Sequence, residues 1–327
     1  MAEDRYLGID VGGSKTTCLV GDGTVTLGRG TAGAGNPSLV GLDGFRAAIA
    51  TAAREALNDL SPASIVVAWL GVAGSEQPLV RDQLRAAAAK ELGAARTVIS
   101  HDARLLLAAA DVTHGIGLVA GTGSSAFGVS ESGREVSVGG WGHLLGDEGS
   151  GHDIAVRALR AVTAAIDGRG PHTRLGELLF ERLAVRDANE LRERCYPAPA
   201  INDIARLAET VLAAADSDHV AGTIVDAAAD ELMKLVDACA AGAVESSDAR
   251  AVPVVLAGGL LAPGSALHRR LVERLAAPPI RYCPIVPTRE PAAGGLALAR
   301  AGPREPPIEH IEPTRDSGNP AIEERNP

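Results

Sequence analysis

The stretch GIGLVAGTGSSAFGVSESGREVSVGGWGHLLGDEGSGHD, Gly115 to Asp153, decides the fold. Its apolar run Ile116–Ala120, bounded by glycines, has the length of a buried strand. Gly121-Thr122-Gly123-Ser124-Ser125 then turns the chain with residues whose backbone N–H groups can approach a phosphate closely. Strands are expected at Ser124–Ser130 and Arg134–Val138, and a helix over His152–Asp167. Between them lies a polar, glycine-rich loop carrying Trp141, His143, Asp147 and Glu148. That much glycine and polarity inside an apolar strand context points to a working loop rather than a structural one.

The same order of elements precedes it. Strands are expected at Arg5–Asp10, Thr17–Val20 and Thr24–Leu27, then a helix at Leu42–Leu60 with Phe45, Ile49, Ala52, Ala56 and Leu60 on one stripe. A strand at Ser64–Leu70, a helix at Gln77–Leu92, a strand at Arg96–Ser100 and a helix at Ala103–Ala110 follow. Beyond the central stretch come a helical region from Ile201 to about Val244, a strand at Val252–Ala257, a helix at Ser265–Ala276, a strand at Ile280–Val286 and a helix at Pro291–Ala301. Shifting the first glycine loop by 110 residues lays Gly13 on Gly123 and Ser14 on Ser124. A weak sequence repeat with a strong repeat of element order predicts two related α/β lobes. Pro303–Pro327 is rich in Pro and Glu without apolar periodicity and is expected to be disordered.

Composition narrows the function. The chain has 327 residues, 46% of them hydrophobic, enough for a large core. A net charge of −10 with no basic run argues against nucleic-acid binding, and 2% aromatics argues against base-stacking platforms. Cys18, Cys195, Cys239 and Cys283 are too scattered for a metal site. The start MAEDRYLGID lacks the features of a signal peptide, and no stretch suits a bilayer span, so a cytoplasmic protein without membrane partners is expected.

Two glycine-turned hairpins, each after a strand in its own lobe, suit a cleft that grips one nucleoside triphosphate from both sides. Asp10 ends the first strand, placed to hold a hydrated Mg²⁺ against the phosphates. Ser14, Lys15 and Thr16 offer hydroxyl, amide and ammonium donors to phosphate oxygens. Neither loop is a GxxxxGK[ST] phosphate loop or a GxGxxG turn opening a helix.

The arrangement resembles the actin/hexokinase/Hsp70 ATPase superfamily, in its BadF/BadG/BcrA/BcrD branch, and within that the N-acetylglucosamine kinase family. The resemblance rests on DVGGSKT at Asp10–Thr16, GTGSS at Gly121–Ser125, GGWGHLLGDEGSG at Gly139–Gly151, LAGGLL at Leu256–Leu261 and PAAGGLALA at Pro291–Ala299. It implies two actin-like, ribonuclease H-like α/β lobes, each a mixed sheet flanked by helices, with a cleft between them. The lobes would be residues 1–113, completed by the closing helix within 288–302, and residues 114–287. It implies ATP and Mg²⁺ as cofactors, an amino sugar as substrate, and it allows a homodimer.

Within that resemblance the nucleotide contacts fall on Gly12, Gly13, Ser14, Lys15, Thr16, Gly121, Thr122, Gly123, Ser124, Gly258 and Gly259, with Asp10 on the metal. Asp102, in SHDA at a strand end, would be the general base that takes the sugar hydroxyl's proton; its other reading is a helix cap. Its neighbour His101 is expected to point away, along the strand or into solvent. Asn36, Gly140, Trp141, Gly142 and Asp147 match sugar-contacting positions, whereas His143 and Glu148 either touch sugar or satisfy the loop's own backbone. Trp69 is expected in the core.

The chain departs from vertebrate members at Val72-Ala73-Gly74, where they carry Ser, and at Val138, where they carry Cys. Both positions lie near the sugar's 2-substituent in the resemblance, so glucosamine and N-acetylmuramic acid stand beside N-acetylglucosamine as substrates. A dehydratase-activator ATPase would need clustered cysteines for its iron–sulfur centre, and a sugar-responsive regulator would need an N-terminal winged helix and a zinc-binding cysteine cluster.

Overall fold

A computed structural model describes residues 4–58, 60, 65–72, 75, 78–196, 201–243, 251–278 and 281–302. The expected tail at 303–327 and the turn at Ala73-Gly74 lie outside the described residues. Two five-stranded mixed sheets form the chain, each flanked by helices. The first holds β1 (Arg5–Val11), β2 (Thr16–Gly21), β3 (Thr26–Ala32), β4 (Ile65–Val72) and β5 (Arg96–Ser100) in the order β3-β2-β1-β4-β5. The second holds β6 (Gly115–Ala120), β7 (Ser124–Val129), β8 (Glu135–Gly139), β9 (Val252–Ala257) and β10 (Tyr282–Ile285) in the order β10-β9-β6-β7-β8. Read from the hairpin side the two orders are the same, so the duplication expected of two actin-like lobes is present in the topology.

Each sheet starts with an antiparallel hairpin and continues with parallel strands. The first lobe carries α1 (Pro37–Leu57) and α2 (Pro78–Leu92); the second carries α4 (Gly151–Ile166) through α9, and α10 (Ala266–Leu275). Two helices cross between the sheets: α3 (Asp102–Ala109), after β5, and α11 (Pro291–Ala301), after β10. The last helix packs on β1, β2 and β4 of the first sheet, while α3 also packs on β6, β7 and β9 of the second. Trp69 is 2% exposed within β4.

Three expectations change. The third strand is β3 at Thr26–Ala32, not Thr24–Leu27, because the Asp22 carboxylate takes the N–H groups of Thr24 and Val25 at 2.7 and 2.8 Å. The turn therefore runs through Val25 and pairing starts at Gly21 with Thr26. The first helix begins at Pro37, capped by the Asn36 side chain on Ser38 N (2.9 Å), and kinks at Gly41 before its long segment. The helical region after Ile201 is three helices, α7 (Ile201–Ala205), α8 (Ala208–Ala214) and α9 (His219–Ala243). The break before α9 is Asp218, whose carboxylate accepts from Ala221 N, Arg174 N and Thr173 Oγ1 and so staples α9 to the start of α5 (Leu175–Leu183). Neither α5 nor α6 (Ala188–Cys195) is expected from the sequence.

Candidate functional site

The strand ends of the first lobe collect its acidic groups. Asp10 near the end of β1 pairs in register with Gly71 of β4, and Gly71 pairs with Ser100 of β5. A Cβ on Gly71 would lie 2.9 Å from the Asp102 Cα, so the bare glycine lets the start of α3 settle over the strand ends. Trp69 fixes the same corner, its indole N–H donating to Ser100 Oγ at 2.9 Å, and Ser100 Oγ in turn donates to the His101 carbonyl at 3.2 Å.

The helix cap on α3 is His101, not Asp102. Asp102 stands in the first turn, its Oδ1 accepting from Ala103 N at 2.8 Å, with the carboxylate one third exposed at 33%. Burial works to raise its pKa, but the hydrogen bond and charge of His101 and the Ala103 N–H together hold it below the ordinary carboxylate value. The group is therefore an ionised carboxylate at neutral pH. His101 itself is buried rather than pointing into solvent, and its ring stacks on Phe127 of β7.

Asp10 behaves in the opposite sense. Burial first, then the negative charges of Asp102 and Glu290, push its pKa up to about 7, with Lys15 pulling it partly back. Glu290 is paired with Arg29 at 3.0 Å, which leaves Asp10 and Asp102 against the Lys15 ammonium, an excess of negative charge that a cation would neutralise. Among the described residues no three His, Cys, Asp or Glu groups form a metal cage. Mg²⁺ needs none when it is held through one or two carboxylates and phosphate oxygens.

That raised value carries a stability prediction. The folded-state pKa lies above the unfolded one, so the folded chain binds a proton that the unfolded chain has lost. Asp10 thus costs stability as pH rises from about 4 to about 7, and the cost is full above that. Asp10→Asn is expected to stabilise the protein at pH 8 by on the order of 1 kcal/mol and so to raise its thermal midpoint. Thermal melts at pH 5 and pH 8 check this, the gain being confined to the higher pH.

Each lobe has one glycine turn between its first two strands. In the first, Gly12 N donates to the Lys15 carbonyl at 3.0 Å, and Gly13, Ser14 and Lys15 stand exposed. Thr16 does not join them: it is fully buried, and its hydroxyl, without a hydrogen-bond partner, lies where a Cβ on Gly35 would come within 2.5 Å. Its side chain is placed in the lobe interior rather than as a phosphate donor. The Gly12 carbonyl accepts from Gly35 N and Asn36 N at 3.1 and 3.2 Å, which ties Asn36 to this turn. Asn36 spends its side-chain oxygen on the α1 cap and keeps its amide N–H groups for another partner.

In the second turn Gly121 N donates to the Gly123 carbonyl at 2.9 Å, and a Cβ on Gly121 would meet open space. Thr122 Oγ1 donates to Asn202 Oδ1 at 3.0 Å, linking the turn to α7. Beside it, Gly258 closes against Ala120, where a Cβ would overlap the carbonyl oxygen, so only Gly259 presents bare backbone to open space.

The loop Gly139–Gly149 leaves β8 alongside Ser125 of β7. Gly139, Gly140, Gly142, Asp147 and Gly149 all have left-handed backbone, Asp147 alone with a side chain. Its Oδ1 accepts from Ser124 N at 3.2 Å, and Ser124 Oγ donates to the Glu148 carbonyl at 2.7 Å, so the loop is clamped to the second glycine turn. Gly140 N donates to the Ser124 carbonyl at 3.0 Å. The Glu148 side chain is exposed, and the His143 ring packs edge-on against His152 with centroids 5.0 Å apart. That pair edges a cavity of about 530 Å³ between α4, α6 and α7, lined by neither Asp10 nor Asp102. Trp141, Leu144 and Leu145 stand out of the loop at 74%, 84% and 79% exposure. Among the described residues no helix is long and apolar enough to cross a membrane.

The chain is similar to the N-acetylmuramic acid/N-acetylglucosamine kinase of Clostridium acetobutylicum, 32% identical over 200 residues, which are 59% of this chain and 63% of the relative. It is similar to the N-acetyl-D-glucosamine kinase of Dictyostelium discoideum, 29% identical over 209 residues, 60% of this chain and 66% of the relative. Each match thus spans just under two thirds of the relative's own length. A solved structure from Chromobacterium violaceum, assigned as an N-acetylglucosamine kinase, superposes with a TM-score of 0.72 at 25% identity, covering 91% of this chain and all of that one. Residues 7–299 match the model of the BadF/BadG/BcrA/BcrD ATPase family, and the chain belongs to that family.

Proposed function

We propose that this chain is an ATP-dependent sugar kinase that phosphorylates an amino sugar, converting N-acetyl-D-glucosamine to its 6-phosphate. The observation that carries the reading is the Asp102 carboxylate, held ionised and one third exposed at the strand ends beside Asp10. A sugar hydroxyl is a poor nucleophile at neutral pH, and an ionised carboxylate in hydrogen-bond reach accepts its proton as the phosphoryl group arrives. Bound ATP and Mg²⁺ would supply an electrophilic terminal phosphoryl group whose charge the cation shares. Asp10 would hold the hydrated cation, and the turns Gly12–Lys15 and Gly121–Ser124 would hold the phosphates, with Gly259 against the nucleoside. Asn36, Gly140, Trp141, Gly142 and Asp147 would hold the sugar, Trp141 as an apolar wall and Asp147 as a hydroxyl acceptor.

The Clostridium relative's name favours N-acetylmuramic acid as a second substrate. ADP release, coupled to a dehydrogenase readout, separates these readings across N-acetylglucosamine, N-acetylmuramic acid, glucosamine and glucose. Turnover is expected with the N-acetylated sugars and only in the presence of Mg²⁺. Silence on every sugar would overturn the kinase reading.

A further inference from the structure

His101 stands between the two lobes at the residue assigned as base. Its imidazole is buried, 8% exposed, and lies flat on Phe127 of β7, with ring centroids 4.4 Å apart and planes 9° apart. His101 Nδ1 is 2.8 Å from Asp102 Oδ1, the oxygen that also accepts from Ala103 N at 2.8 Å. With its proton on Nδ1 the ring donates to Oδ1; in the other tautomer Nδ1 accepts from Ala103 N, 3.1 Å away. Capping alone asks only for an acceptor, which Asn, Ser or Asp supplies without an aromatic ring.

We infer that His101 is a positioning residue: anchored on Phe127 of the opposite lobe, it holds Asp102 Oδ1 and so aims the other carboxylate oxygen at the sugar hydroxyl. The inference rests on the kinase reading. The ring's place is fixed from both sides. Phe127 is buried in the hairpin whose next strand leads into the loop at Gly139, and Phe127 pairs with Ser137 of that strand. Backbone support comes from Trp69 and Ser100 behind the His101 carbonyl. A second link runs parallel to it, as Arg104 of α3 pairs with Glu135 of β8 at 2.7 Å. Sugar seated on the loop is therefore connected to the orientation of the base through the stacked ring, with the Arg104–Glu135 pair beside it.

The test compares His101→Asn, Phe127→Leu and the double variant with wild type in steady-state phosphorylation of N-acetylglucosamine. Asp102 Oδ1 goes on accepting from Ala103 N whatever stands at position 101, so the thermal midpoint of His101→Asn should stay within a few degrees of wild type. Its kcat should fall by about 10- to 100-fold with the sugar KM within about twofold, the signature of a misaimed base. Phe127→Leu should lower kcat by about tenfold, and the double variant should be no worse than His101→Asn, because both remove one linkage. Wild-type kcat in His101→Asn, or losses that multiply in the double variant, would overturn the inference while leaving the kinase reading intact. A wild type silent on every amino sugar would overturn both.

Discussion

On the proposed kinase reading, replacing Asp102 by Asn is expected to lower kcat by roughly 10² to 10⁴, the worth of a positioned general base, while sugar and ATP binding persist. Folding should survive the change because Asn can still accept from Ala103 N through its amide oxygen, as Asp102 Oδ1 does. What is lost is the ability to take the hydroxyl proton. Steady-state kinetics with calorimetric titration of sugar and nucleotide measures both halves of the expectation. Asp147→Asn belongs to the other class. Its carboxylate, in the loop, is anchored on Ser124 N of β7, away from α3, which carries Asp102. Loss of its charge should raise the sugar KM, at a cost of about 1.5–3 kcal/mol in binding, with kcat little changed. Near-normal kcat in Asp102→Asn would leave Asp102 as a first-turn carboxylate and pass the base to Asp147 or Glu148.

The parts of the fold legible in the sequence are those with strong local periodicity. Strands at Arg96–Ser100 and Val252–Ala257 and the helix Pro291–Ala301 stand at their expected bounds, because apolar runs end there at turn residues. The third strand was displaced because β3, TLGRGTA, has no apolar alternation. Its Gly28 and Gly30 are there to admit α1, whose Ala56 and Ala52 carbonyls a Cβ at those positions would overlap. Helices α5 and α6 are short, 9 and 8 residues; α5 buries Leu175 and Leu179 in the core of the second lobe, and its start is tied to the distant Asp218. At the site, glycine turns announce a phosphate cradle, but side-chain direction does not follow from them. Thr16 turns inward, and His101, read as pointing away, turns inward onto Phe127, a partner 26 positions further along that only the topology brings near.

The crossing of α3 and α11 sets the position of Asp102, and one missing methyl group makes it possible. A Cβ on Gly294 would overlap the Leu105 carbonyl oxygen and lie 2.6 Å from Ala109 N, both in the backbone of α3. Backbone inside a helix cannot swing aside as a side chain does, so the two helices would have to part. In an exposed helix, Gly→Ala gains up to about 1 kcal/mol from propensity. Here the sign reverses, and Gly294→Ala should destabilise by about 3 kcal/mol or more, at the upper end of overpacking costs. Gly295→Ala is the contrast, since its Cβ would meet Leu105 Cδ2 and the Gly8 Cα at 3.1 Å, where a leucine end can shift by tenths of an ångström. Its loss should be smaller by at least half. Urea midpoints of the two variants order them. Because α3 begins at Asp102 and α11 also packs on β1, which bears Asp10, any Gly294→Ala protein that still folds should have lost most of its kcat. Equal midpoints for wild type and Gly294→Ala would mean that the helices cross farther apart, and that Asp102 is held by its own strand rather than by the helix pair.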